Sequence, residues 1–227
     1  MKIVVNSCVA HADALQQLLT SLQTAQFPAA DAVVVLGGSD VAEGPTVTVD
    51  GWVRICCKEQ TFDYHGLTCL FRYREHELVK ADGYLYIHDT CVADTTLPQR
   101  LATYDFSTNP ACIYGPPSPA ANICAFGHRV IVNIGLTYDC SISKREAINI
   151  EKGTSMKFPP IYRFGVLRSL APRRRIGECN RYGDGTRTVY YYPAFGLYKY
   201  VTQNPLTTTR AHCTAPQSES SCPTALS

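Results

Sequence analysis

Gly83-Tyr84-Leu85-Tyr86-Ile87-His88-Asp89-Thr90-Cys91 is an apolar run that stops abruptly at a histidine and a carboxylate. A strand covered on both faces of its sheet reads as an unbroken apolar stretch. Open α/β sheets collect their ligand contacts outside the carboxyl ends of such strands. The stretch therefore predicts an inner strand with Asp89 at its ligand-facing end.

Toward the N-terminus the pattern alternates. Lys2 to Val5 is a β-branched run closing on Asn6-Ser7. Leu15, Leu18, Leu19 and Leu22 then fall at helical spacing, with Asp13 near the positive end of that helix. Ala32 to Leu36 is a second apolar strand, stopped by Gly37-Gly38-Ser39-Asp40. Strand, helix and strand make a βαβ unit, whose crossover is right-handed. Short strands are expected at Thr46 to Val49 and Trp52 to Cys56, around an Asp50-Gly51 turn. Leu67, Leu70, Phe71, Leu78 and Val79 share one face of a second helix, which Asp82-Gly83 terminates.

The second half is less regular. Thr96 to Thr103 reads as a short helix, and Ala111 to Tyr114 and Ile123 to Phe126 as strands around a Gly115-Pro116-Pro117-Ser118-Pro119 loop. Arg129 to Val132 reads as a strand running into Asn133-Ile134-Gly135-Leu136, and Thr188 to Tyr192 as another. Ser141 to Lys152 has helical composition, with Ser143 and Glu146 spaced like a capping box. From about Thr207 the Thr/Ser/Pro-rich composition predicts a flexible tail, 207–227. The fold class expected is α/β: one Rossmann-like domain over 1–206, its mixed, mainly parallel sheet flanked by helices.

The 227 residues suffice for one such core. A net charge of +2 gives no drive toward nucleic acid, which is not expected as a partner. Between Arg163 and Arg187 seven arginines face only Glu178 and Asp184, and Arg173-Arg174-Arg175 reads either as a phosphate clamp or as a solvated loop. Eleven cysteines are scattered without a C-x-x-C pair, against a zinc ribbon or a redox motif. Several lie in apolar runs, where a reduced thiol packs as a small hydrophobe. With no signal peptide and no membrane span expected, a reducing, intracellular (cytoplasmic) compartment follows.

Asp89 admits two readings: a carboxylate capping the following segment, or an oxygen ligand for Mg²⁺ or Mn²⁺, ions that take few protein carboxylates and finish their shells with water and phosphate. His88 could orient that carboxylate or pack as a neutral ring. Thr61-Phe62-Asp63-Tyr64-His65-Gly66 precedes the second helix; it is either a plain helix start or an aromatic and a carboxylate placed to stack on a base and bind a ribose. Asn6-Ser7, Ser39-Asp40, Asp63 and Asp89 together make four polar clusters at the ends of neighbouring strands, the makings of a pocket.

On these residues the chain resembles GT-A fold glycosyltransferases: a Lys-Ile-Val-Val strand opens it, Val-Val-Val-Leu-Gly-Gly follows one helix, and an apolar strand ends in His88-Asp89-Thr90. The resemblance covers about residues 1–140. It implies metal-assisted transfer of a sugar from a nucleoside-diphosphate donor such as a UDP-sugar to a glycan or other hydroxyl acceptor, with 1–95 as the nucleotide-binding half and 96–206 as the acceptor side. Carried across, Asn6, Ser7, Ser39 and Asp40 line the base pocket, and Phe62, Asp63 and Gly66 lie near the nucleoside. Asp89 takes the metal position, with Mn²⁺ or Mg²⁺ as cofactor, and His88, Asn133 and Gly135 face donor and acceptor. Where the family has D-x-D, this chain has His88-Asp89-Thr90. Asp94 and Asp139 are candidate general bases by location, and His212 a late ligand. Two rivals stand beside this reading. A sugar nucleotidyltransferase usually carries a Gly- and Arg-rich loop after its first strand, where Cys8-Val9-Ala10-His11 follows here. A non-catalytic nucleotide- or glycan-binding module is the other.

Overall fold

The computed structural model describes residues 1–58, 64–115, 122–134, 160–182 and 185–202. Its first strands are β1 (Lys2–Cys8), β2 (Ala32–Gly37), β3 (Glu43–Val47) and β4 (Val53–Cys56), followed by β5 (Gly83–His88). The helices of this half are α1 (Ala12–Thr24), led by a 3-10 turn at Val9–His11, and α2 (His65–Tyr73). Beyond β5 come β6 (Cys91–Ala93), α3 (Leu97–Leu101), β7 (Cys112–Gly115), β8 (Cys124–Gly127) and α4 (His128–Ile134). The last strands are β9 (Val166–Ser169), β10 (Arg174–Cys179), β11 (Arg187–Tyr192) and β12 (Leu197–Thr202).

Eight strands form one sheet in the order β3-β4-β2-β1-β5-β8-β7-β9. Its centre, β4-β2-β1-β5, is wholly parallel, and β3 and β8 join antiparallel on either side. The expected α/β class with a mixed, mainly parallel sheet is what the chain adopts. Alternation along the strands sorts side chains to two cores. On one face Ile3, Val5, Ala32, Val34, Leu85 and Ile87 meet Leu18 and Leu22 of α1. On the other, Val4, Val33, Val35, Tyr84 and Tyr86 meet Leu67 and Leu70 of α2 and Val130, Ile131 and Ile134 of α4. The chain thus crosses from β1 through α1 on one face, and from β4 through α2 on the other. Strand order reverses between β1 and β5, and there the two crossovers diverge.

A second, antiparallel sheet has the order β10-β11-β12-β6. It packs on the α1 side, where Arg181 Nε donates to Gln17 Oε1 at 2.6 Å and Ala93 N donates to Ser21 Oγ at 2.9 Å. Arg174 and Arg175, expected in a loop, begin its edge strand β10. Charge on an unpaired edge discourages pairing with other chains. Arg173 stacks its guanidinium over the Tyr190 ring at 4.1 Å.

Two expectations are corrected. Arg129 to Val132 is not a strand but the middle of α4. Its leading N–H groups are taken by carbonyls from other segments, His128 N by Asp82 O at 2.8 Å and Arg129 N by Pro110 O at 3.1 Å. The second helix ends at Tyr73, short of Leu78 and Val79. A turn follows in which Leu78 N donates to His76 Nδ1 at 3.2 Å, and Val79 still reaches the core fully buried. The Ser141–Lys152 helix, the 207–227 tail and His212 lie outside the described residues.

Seven of the eight described cysteines are buried, where they pack into the cores as small apolar groups. Burial pushes the Cys91 and Cys124 thiols up, away from thiolate chemistry. Among the described residues no helix is long and apolar enough to cross a membrane.

Candidate functional site

The carboxyl ends of β1 and β5 run side by side, with Asn6 opposite His88 in register. Alternation sends successive residues to opposite faces of the sheet edge. Ser7 and Asp89 share the face of Val5 and Ile87, the α1 side; Asn6 and His88 share that of Val4 and Tyr86, the α2 side.

On the α1 side, Ser7 Oγ donates to Asp89 Oδ2 at 2.9 Å. His11 Nδ1 lies 3.3 Å from the same oxygen. The Asp89 side chain is 6 % exposed and the His11 ring 57 %, so the imidazole covers the carboxylate and faces solvent. Burial pushes the Asp89 carboxyl up. The hydrogen bonds of His11 and Ser7, with the charges of His88 and His11, outweigh burial and hold it below the usual carboxylate range. An ionised carboxylate only accepts, so Nδ1 of His11 carries the hydrogen in this pair. Nε2 is the ring nitrogen left for a further partner.

On the α2 side, the Asn6 side chain turns back into the fold. Its Oδ1 accepts Gly66 N–H at 2.8 Å, satisfying a donor of the first turn of α2. His65 Nε2 lies 2.7 Å from Ser7 O, and both partners are buried. The His88 ring meets Tyr86 edge-on at 5.7 Å.

The predicted residues divide accordingly. Asn6, Ser7, Gly66, His88 and Asp89 lie where β1 and β5 end, Ser7 and Asp89 on the α1 face and Asn6, Gly66 and His88 on the α2 face. Ser39 and the exposed Asp40 follow β2 at the same sheet edge, after Gly38 at φ 71°, and Ser39 N is tied to Cys57 O at 3.0 Å. Asp94 lies elsewhere. Its Oδ1 accepts Thr96 N and Oγ1 and its Oδ2 accepts the Tyr191 hydroxyl, a turn tied to the second sheet. The residue before it bonds Ser21, nine residues along α1 from Ala12, or roughly 14 Å at 1.5 Å per residue. Asp94 is thus tied into a turn beside the second sheet. Asn133 is in α4 rather than at a strand end, its Nδ2 donating to Arg129 O at 3.5 Å. Phe62, Asp63, Gly135 and Asp139 lie outside the described residues. His11 and His65 are the additions, and their sequence signal was modest: each stands at the start of a helix that follows a strand end.

A divalent ion suits this donor set poorly. Mg²⁺ and Mn²⁺ ask for several oxygens with open lone pairs. Among the described residues at these strand ends Asp89 supplies the one carboxylate, and its Oδ2 already receives an alcohol and an imidazole. Among the described residues no three His, Cys, Asp or Glu side chains gather closely enough to hold a metal.

Fold and crevice together define an α/β protein with a polar, switch-point site between the starts of two helices on opposite faces. No protein-family model matches the chain, and no curated protein does. Among solved structures it is similar to the glycosyltransferase GlyE of Streptococcus pneumoniae TIGR4, with 14% identity, a TM-score of 0.39, and coverage of 74% of this chain and 45% of that one. The apo form of GlyE aligns with 14% identity and a TM-score of 0.37 over 66% and 42% of the two chains. A protein assigned as a glucose-1-phosphate thymidylyltransferase from Bacillus anthracis, in complex with a sucrose, aligns with 8% identity and a TM-score of 0.39 over 75% and 87%. The chain spans under half the length of GlyE.

Proposed function

We propose that this chain is a glycosyltransferase that binds a nucleoside-diphosphate sugar in the β1–β5 crevice and passes the sugar to a hydroxyl acceptor. The observation that carries the reading is the placement of Ser7, His11, His88 and Asp89 at the point where strand order reverses. In open α/β sheets that is where ligands bind, because diverging crossovers leave a cleft above the strand ends. The starts of α1 and α2 both border it, each with backbone N–H groups that favour anionic oxygens.

In the transfer, the acceptor hydroxyl oxygen bonds to the anomeric carbon while the anomeric carbon–phosphate oxygen bond breaks. The electron pair leaves with the nucleoside diphosphate, and the acceptor proton passes to a base. What limits such a reaction is the charge that grows on the departing diphosphate, and donors fixed beforehand at that position lower the barrier. The Ser7–Asp89–His11 cluster, built on a buried carboxylate, is fixed in that sense, since each hydrogen bond restrains the next.

The test is thermal unfolding of the full chain against a panel of nucleoside-diphosphate sugars. A ligand at a hundred times its dissociation constant adds about 2.7 kcal/mol. At least one member should raise the midpoint and then be hydrolysed slowly, releasing free sugar. A stabilising ligand that is never turned over would indicate a binding module. No shift from any member would refute the reading.

A further inference from the structure

The Ser7–Asp89–His11 cluster combines a buried anion with an exposed imidazole. A carboxylate at the mouth of a diphosphate site repels its ligand unless something positive stands between them. Asp89 is the buried member and His11 the exposed one, so the surface offered to a ligand is the ring. Ser7 and His11 both converge on Oδ2 of Asp89, so that oxygen is engaged inside the protein. His11 also stands immediately before the thirteen-residue α1, whose first turn has no side-chain cap. Asp13 in that turn is exposed to solvent.

We infer that the crevice takes the diphosphate of its ligand without a divalent ion, with the imidazole of His11, held by Asp89, as the group that meets the phosphate oxygens. The inference rests on the nucleotide-sugar reading of the same crevice. Nδ1–H of His11 donates to Asp89 and Nε2–H donates to the phosphate, so the ring bridges the buried and the incoming charge. Asp89 is then a positioning residue: it holds the ring through Nδ1 and fixes its orientation.

Calorimetric titration of the full chain with UDP, and separately with inorganic pyrophosphate, tests this in EDTA and in Mn²⁺. Wild type should bind UDP in EDTA, with an affinity that Mn²⁺ changes less than twofold. Pyrophosphate should compete with UDP for the same site. His11→Gln should weaken UDP at least tenfold while the unliganded protein stays folded, since a glutamine amide can still donate to Asp89. His11→Lys, which restores a positive group, should recover part of the loss. UDP binding that requires Mn²⁺, or His11→Gln binding as tightly as wild type, would overturn the inference and leave the nucleotide-sugar reading standing. Failure of every nucleoside diphosphate to bind, with or without the ion, would overturn both.

Discussion

Gly66 has no room for a methyl group. A Cβ there would lie 2.6 Å from Asn6 Oδ1 and 2.9 Å from the Tyr86 ring, because α2 begins pressed against β1 and β5. Gly66→Ala should therefore cost about 1–3 kcal/mol, read as a lower urea midpoint at unchanged slope. Wild-type stability in that variant would mean the helix start is looser than described. Gly66 and Asn6 are thus explained first as the joint that sets the crevice width. The Asp89 carboxyl makes a different prediction. Its pKa is lower folded than unfolded, so its stabilising share is complete above the unfolded value and is lost as pH falls through the folded one. Stability should decline below about pH 4, the ordinary aspartate value, and Asp89→Asn should flatten that acid limb. An acid limb of the same depth in the variant would contradict the pairing with Ser7 and His11.

Among the elements, α1 carries the most. Its start presents His11 to the crevice, and its inner side fills the core between the two sheets. Leu18 is fully buried there among Ile3, Val34 and Leu85. Leu18→Ala should cost about 2–5 kcal/mol by equilibrium unfolding, and a loss under 1 kcal/mol would mean the second sheet does not hold α1 as described. The leucine spacing of α1 was legible because amphipathic periodicity over thirteen residues is a strong signal. That of α4 was not. His-Arg-Val-Ile-Val-Asn-Ile is rich in β-branched residues and spans only seven positions, so local preference favours a strand. Tertiary context decides otherwise: Val130, Ile131 and Ile134 meet α2 on one helical face. The overlong expectation for α2 has a similar origin, since Val79 is a core residue reached by a turn rather than by the helix.

Across the whole molecule, the parallel centre of the sheet could be read from sequence because β1, β2 and β5 each carry a continuous apolar run. The four-stranded sheet could not. β6 has three residues, β10 is largely exposed and arginine-rich, and β12 carries a lysine in mid-strand. What joins them is pairing between distant segments, Leu197 with Ala93 and Tyr198 with Val92, which leaves no mark on local composition. The site was legible to the same degree. Asn6, Ser7 and Asp89 stood out at strand ends, whereas His11 acquires its meaning only when β5 is laid beside β1.

A nucleoside diphosphate is expected in the crevice where β1 and β5 end. A crystal structure of the chain soaked with UDP is the decisive experiment. The diphosphate should lie between the starts of α1 and α2, with a phosphate oxygen within hydrogen-bond distance of the His11 ring. Nucleotide bound at the amino ends of the strands, or on the four-stranded sheet, would contradict it.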